Sequence, residues 1–268
     1  DNPTITTTYT VTGTDANGCV SSAETVVITV NQTPDTPTAG SNSPVCSGQT
    51  LELTASTISG ATYLWSGPNS FSSTLQSLSV ANVTTLASGT YSVTVMSVMN
   101  GCTSSAGTVA VTVNQTPSVP TASSNSPVCS GQTLSLSAST ITGATYSWIG
   151  SNGFTSVLQN PTIANVTNAA SGTYFATATV NECTSQTGTV VVTVNQTTGV
   201  PTAGNNSPVC SGQTLSFSTN TIAGATYSWT GPDGFISASQ NPFISSVTTA
   251  ASGTYSVMAT VSGCTGQA

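Results

Sequence analysis

ASGTYSVTV, residues 87–95, is the stretch on which the fold turns: Tyr91, Val93 and Val95 fall on one side of an extended chain, with Ser92 and Thr94 between them. Period-two patterning of this kind marks a strand with one face toward a core. The stretch returns as ASGTYFA from Ala170 and as ASGTYSV from Ala251. In GTVAVTV, Val109, Val111 and Val113 share a side, matched by Val190, Val192 and Val194 and by Val26, Ile28 and Val30. In QTLELTA, Leu51, Leu53 and Ala55 face inward and Glu52 faces water, with Ser135 and Ser216 at the equivalent outward place. Thr, Val and Ser are enriched, turn residues recur every eight to twelve positions, and no 3.6-residue period occurs. The sequence therefore predicts an all-β chain of two-sheet sandwiches.

Working outward, the strand sits in a repeat. SPVCSGQTL begins at Ser43, Ser126 and Ser207, followed by ATYLWSG, ATYSWIG and ATYSWTG. Cys46, Cys129 and Cys210 are 83 and 81 residues apart, and Trp65, Trp148 and Trp229 keep the same two intervals. The period suits one small β-domain, and a length of 268 residues suits two or three domains of ~100 residues each. The distance from cysteine to tyrosine is 45 residues in each copy (Cys46 to Tyr91, Cys129 to Tyr174, Cys210 to Tyr255), so the two-residue difference lies between Tyr91 and Cys102. That segment, ending MNGC, NECT or SGCT, reads as a hairpin tip. Cys19 to Cys46, Cys102 to Cys129 and Cys183 to Cys210 all span 27 residues, with Pro37, Pro120 and Pro201 at matching places. Flexible tethers change length at little cost, so constant spacing predicts a defined, semi-stiff junction.

These phases divide the chain into 1–33, the last strands of a truncated module; 34–116 and 117–197, two full modules; and 198–268, a module lacking its last strand. The window is out of phase with the repeat. A longer parent with further copies on both sides is the simplest account, and strand exchange between neighbouring chains is the alternative.

Composition excludes whole classes of function. Lys, Arg and His are absent, seven carboxylates give a formal charge of −7, and charged residues make up 3%. Without cations the chain lacks the term that dominates binding to nucleic acid or anionic membranes. Ser-His-Asp and Cys-His catalysis, Schiff-base chemistry and histidine-held metals are also excluded. Glu52, Glu182 and Asp233 each occur in one copy only, so no repeated pocket holds a paired acid and base. The sequence predicts no enzyme, no cofactor and no metal. No stretch approaches the ~18 apolar residues of a membrane-crossing helix, and the start, DNPTITTTYT, lacks the features of a signal peptide and reads as a processed end or a cut. Seven cysteines without histidine or CxxC pairs point to an oxidising, extracellular setting.

The ASGTYSVTV stretch resembles the E-F corner and strand F of immunoglobulin-like domains, with Tyr91, Tyr174 and Tyr255 as corner tyrosines and Trp65, Trp148 and Trp229 as strand C tryptophans. The fuller pattern, PVCSGQTLxLxA through YxW to NGC and TVxVTVNQT, is similar to tandem Ig-like or PKD-like modules of very large Bacteroidota surface proteins. That resemblance implies a stalk in an adhesin exported by the type IX pathway, gliding-motility adhesins included. One departure stands out. Antibody domains pin strands B and F through the core, whereas Leu53 and Val93 take the equivalent places here. Cys46 precedes strand B and Cys102 sits at the F-G turn, so the expected staple is Cys46 to Cys102, with Cys129 to Cys183 and Cys210 to Cys264 alike. Free thiols or a metal are the alternatives. Cys19 is left over because its partner would lie upstream.

Other candidates carry less. The Trp and Tyr set reads as core packing rather than a sugar platform. GPNSF, GSNGF and GPDGF end at Phe71, Phe154 and Phe235 and are the best candidate ligand turns, against a plain turn with a packed Phe. Asp15-Ala16-Asn17-Gly18 and Asp233-Gly234 read as turns, since calcium needs more carboxylates. Asn82-Val83-Thr84, Asn165-Val166-Thr167 and the NQT linkers match the N-glycosylation pattern. Lys-Asn isopeptide bonds, a staple of other stalks, are excluded, and trypsin-like proteases find no bond to cut. Three modules in file predict a thin rod on the order of 100 Å. The leading expectation is a passive stalk segment whose partners are further copies of the same module. Alternatives are a multivalent array binding surface glycans or proteins, and a self-assembling extracellular filament.

Overall fold

The computed structural model describes residues 3–266. The fold is all-β: its helical elements are three-residue 3-10 turns. In residues 34–116 one sheet is formed by Ala39–Ser41, Leu51–Ala55 and Leu78–Val80, all antiparallel. The facing sheet runs Gly107–Val111, Gly89–Ser97, Ala61–Gly67, Phe71–Ser73. Tyr91 pairs with Val109 and Trp65 with Val93, which sets the two aromatics on the inward side of neighbouring strands. Val45–Cys46 pairs in parallel with Val113–Asn114. The same plan recurs in the second repeat, where Val128–Cys129 runs parallel to Val194–Asn195. In the third, Ala203–Asn205, Leu215–Thr219 and Phe243–Ile244 make one sheet and Thr226–Thr230 with Ser256–Val261 centre the other. Thr7–Val11 and Glu24–Ile28 form a hairpin. Val26 and Ile28, expected to face inward, are 55% and 41% exposed, because among the described residues no second sheet lies across from that hairpin.

The buried side chains form three separate clusters, one per repeat, centred on Trp65, Trp148 and Trp229. Each indole is at most 1% exposed. Leu51, Leu53, Ala55, Tyr91, Val93 and Val95 are all buried as the alternation requires, while Glu52 is exposed. Where antibody domains carry a disulfide between the sheets, this chain has buried apolar residues: Leu53 and Val93, Leu136 and Ala176, and Phe217 and Val257. Phe217 spreads over the third core, its ring centroid 4.4 Å from that of Tyr255 and 5.3 Å from that of Trp229.

By contacts the chain divides into two compact units, 1–116 with 181–183, and 117–180 with 184–268. Within each unit a proline-bearing segment lies on the glycine that opens the last long strand. A methyl group on Gly107 would collide with the carbonyl oxygen of Pro37, and one on Gly188 with that of Pro120. Backbone cannot swing aside as a side-chain tip can. Gly188→Ala is therefore expected to cost about 1–3 kcal/mol through overpacking. Guanidinium denaturation against a control at the exposed, unstrained Gly199 measures it.

Candidate functional site

The cysteines make the most highly organised chemical site in the molecule. Each begins in a turn whose sequence explains its shape. The Cys46 backbone N–H donates to Oε1 of Gln49 at 3.1 Å, and the Gln49 N–H donates back to the Cys46 carbonyl at 3.0 Å. Between them Gly48 takes φ +89°, the left-handed region that a side chain resists. The Ser47 N–H donates to the carbonyl of Asn114 at 2.8 Å, and Ser130 does the same to Asn195. The SGQ tripeptide thus locks the leading cysteine beside the end of the last strand of its own repeat.

The other cysteine class sits on hairpin tips. Asn181 and Glu182 have φ of 47° and 66°, Ser262 and Gly263 of 49° and 77°. Two consecutive left-handed residues form the two-residue turn whose twist suits a hairpin. The Val261–Cys264 pairing closes the third-repeat example.

The structure joins leading to tip cysteines across repeats. Cys46 bonds Cys183 and Cys129 bonds Cys264, each with Cα atoms 5.6 Å apart. Residues 181–183 accordingly group with the first compact unit. Polar contacts support the seat: Asn114 Nδ2 donates to the Asn181 carbonyl at 3.1 Å and Asn195 Nδ2 to that of Ser262 at 3.0 Å. The expected pairs Cys46–Cys102, Cys129–Cys183 and Cys210–Cys264 are not formed, which corrects the sequence expectation. The reason is length. The tip lies beyond Ser97, at the far end of the nine-residue strand Gly89–Ser97, whereas Cys46 lies by the near end with Val113–Asn114. Nine residues span ~30 Å, and a disulfide needs Cα atoms within ~7 Å.

Cys19, Cys102 and Cys210 are unbonded. Cys102 nonetheless has the seating of its bonded counterparts: its sulfur lies 4.0 Å from the Asn31 carbonyl, as those of Cys183 and Cys264 lie 3.9 Å from Asn114 and Asn195. In the third repeat a cleft of about 340 Å³ flanked by Ser207, Val209, Leu215, Val247 and Ser252 occupies the place where the first two repeats hold Val113–Asn114 and Val194–Asn195. Tyr255 borders it and is half-buried, unlike Tyr91 and Tyr174.

The aromatic candidates resolve into structure. Each corner tyrosine donates its hydroxyl to the carbonyl four residues back: Tyr91 to Ala87 at 3.1 Å, Tyr174 to Ala170 and Tyr255 to Ala251 at 2.9 Å. A methyl on Gly67, Gly150 or Gly231 would strike the ring of the corresponding tyrosine, which explains the glycine after each tryptophan strand. Phe71, Phe154 and Phe235 are half-buried, with ring centroids 5.2, 5.6 and 5.4 Å from Tyr91, Tyr174 and Tyr255. They are packed rather than presented. Asp15 caps its own turn, Oδ1 accepting from the N–H groups of Asn17 and Cys19 at 2.9 Å. Missed by the sequence reading were Tyr63, Tyr146 and Tyr227, whose hydroxyls each accept a backbone N–H at 2.8 Å and donate to a carbonyl. The YxW spacing, which puts both rings on one face, was the available signal.

Burial raises the hydroxyl pKa of Tyr91 and Tyr174 above the ordinary value near 10. A proton held more tightly in the folded state stabilises the fold below the unfolded value, and that contribution is lost as pH rises from about 10 through the folded pKa. Denaturation midpoints should fall across that range. A Tyr91→Phe, Tyr174→Phe double variant should show a shallower fall, because it has nothing to deprotonate at those sites.

Two sheets facing across a tryptophan core, with a tyrosine corner on the strand that follows, define an immunoglobulin-like β-sandwich protein. More particularly, residues 117–195 match the model of the family Ig-like domain CHU_C associated. No curated protein matches the sequence. Among solved structures, murine CEACAM1b is 15% identical over 59% of this chain and 99% of its own, with a TM-score of 0.37. Three N-terminal domains of the bacteriophage RB49 highly immunogenic outer capsid protein are 16% identical over 84% and 90%, TM-score 0.34. The N-terminal four Ig domains of Dscam1 are 14% identical over 90% and 75%, TM-score 0.25. No helix among the described residues is long and apolar enough to cross a membrane.

Proposed function

We propose that the chain is a passive, load-bearing stalk segment of a secreted cell-surface adhesin or extracellular filament, holding a binding tip beyond the cell envelope. The observation that carries this reading is the direction of the disulfides: the oxidised cysteines join one repeat to the next instead of closing each repeat on itself. A bond across a linker holds neighbouring repeats together covalently, which serves a segment that transmits tension. Supporting it, the strands carry few charges, and the phenylalanines that might have served a ligand pack against tyrosine rings. Further copies of the module are the expected neighbours along the parent chain, and export by the type IX pathway follows from the resemblance to Bacteroidota surface arrays.

Negative-stain electron microscopy of the oxidised chain tests the reading. Beaded rods that become flexible in a Cys183→Ser, Cys264→Ser variant are expected; compact globules for both proteins would sink it. Glycan arrays supply the second arm. Binding that grows with repeat number and is lost when Phe71, Phe154 and Phe235 become Ala would replace the stalk with a multivalent array.

A further inference from the structure

The two disulfides cross. The leading cysteines Cys46 and Cys129 come first in the chain, and their partners Cys183 and Cys264 follow in the same order, at separations of 137 and 135 residues. The segment from Cys129 to Cys183 therefore lies inside both loops, and each linker lies inside one. We propose that this crossing is a covalent bypass of the linkers: with both bonds closed, the backbone between Cys46 and Cys264 can be cut at any single point without separating the chain, and tension applied across it does not pass through a linker.

The connectivity can be followed cut by cut. A break between Cys46 and Cys129 leaves the two sides joined through Cys46–Cys183. A break between Cys183 and Cys264 leaves them joined through Cys129–Cys264, and a break between Cys129 and Cys183 is spanned by both bonds. Hydrolysis of the peptide bond consumes one water and creates two termini, while all four sulfurs stay paired, so no oxidant or reductant is involved. Pairing within repeats has no such property, since every linker would lie outside every loop.

Tension takes the shortest covalent route. From Cys46 it crosses to Cys183, runs back along the chain to Cys129 and crosses to Cys264, traversing about 55 residues in place of about 220. The linkers around Pro117–Pro120 and Thr198–Pro201 are off that route. They are also the backbone most in need of a bypass: both are irregular, and Val119 and Val200 are 49% and 59% exposed. Exposed irregular segments are where proteases cut, whereas the strands on either side hold their backbone groups in sheets. The bypass rests on the pairing alone, so it can hold even where the stalk reading fails.

The test uses the full chain, produced under oxidising conditions, with a short site for a sequence-specific protease inserted between Pro117 and Ser118. A second version carries it between Thr198 and Gly199. After complete cleavage, each version is expected to migrate as one molecule without reductant. It should divide into two pieces once a phosphine has reduced the bonds, the phosphine taking the oxygen of one water per disulfide and the two sulfurs its protons. Cys46→Ser should divide the first version without reductant, while Cys102→Ser should leave it joined. Separation of the unreduced wild-type pairings, or persistence of the joined form in Cys46→Ser, overturns the proposal. Chymotryptic mapping of the uninserted chain covers any insertion that disturbs folding: a Cys46–Cys183 peptide pair supports the bypass, and a Cys46–Cys102 pair overturns it.

Discussion

Trp148→Ala is expected to lower the unfolding free energy by about 3–5 kcal/mol, the range for removing a large aromatic from a packed core. The indole is fully buried at the centre of the second core, between the strand Leu134–Ala138 and the strand Gly172–Val180. Its Nε1 donates to the carbonyl of Gln159 at 3.3 Å, so alanine also leaves that acceptor without its partner. Against a net stability of ~5–15 kcal/mol for a domain, the loss is enough to unfold this repeat under mild denaturant. Because the three cores are separate clusters, each with one tryptophan, guanidinium titration followed by far-UV circular dichroism should show one transition displaced, while the fluorescence of Trp65 and Trp229 is little changed. The first repeat provides an internal comparison. Trp65 Nε1 is buried with no hydrogen-bond partner among the described residues, so Trp65→Phe removes an unsatisfied donor and should cost less than Trp148→Phe.

The second large effect concerns the bonds across the linkers. Cys183→Ser with Cys264→Ser is expected to destabilise the chain by about 3–5 kcal/mol per bond removed, the upper part of the disulfide range, because each bond closes a loop of well over a hundred residues. The two loops overlap, so the double variant should lose less than twice the single loss. Cys102→Ser and Cys210→Ser should each stay within ~0.5 kcal/mol of the parent, as substitutions of unbonded, partly or fully exposed side chains do. Denaturant midpoints of the double variant and of the four single variants in oxidising buffer give the measurement. Equal losses at Cys102 and Cys183 would mean that bonding is within repeats after all.

Much of this molecule is legible in its sequence. Alternation placed Leu51, Leu53, Tyr91, Val93 and Val95 in a core because a strand alternates its faces whatever surrounds it. The ASGTY and YxW spacings placed the tyrosine corner and the tryptophan because both depend on residues a few positions apart on one strand. The phenylalanine turns kept two readings in the sequence, ligand turn or packed Phe, because each ring packs on a tyrosine twenty residues further along the chain. Glycines were visible as repeated letters, yet their purpose was not: that Gly67 makes room for a tyrosine ring and Gly188 for the Pro120 carbonyl depends on chain segments far away in sequence.

The amino-acid order alone determined the all-β class, the repeat and its period, the three cores and the exclusion of cationic and imidazole chemistry, all of which are local or compositional properties. Only the tertiary structure decided which sulfur meets which. Cysteine spacing is as regular for pairing within repeats as between them, and the choice turns on a distance: a nine-residue strand holds Cys46 and Cys102 at opposite ends of one sandwich, while the next repeat's hairpin tip brings Cys183 to within 5.6 Å of Cys46.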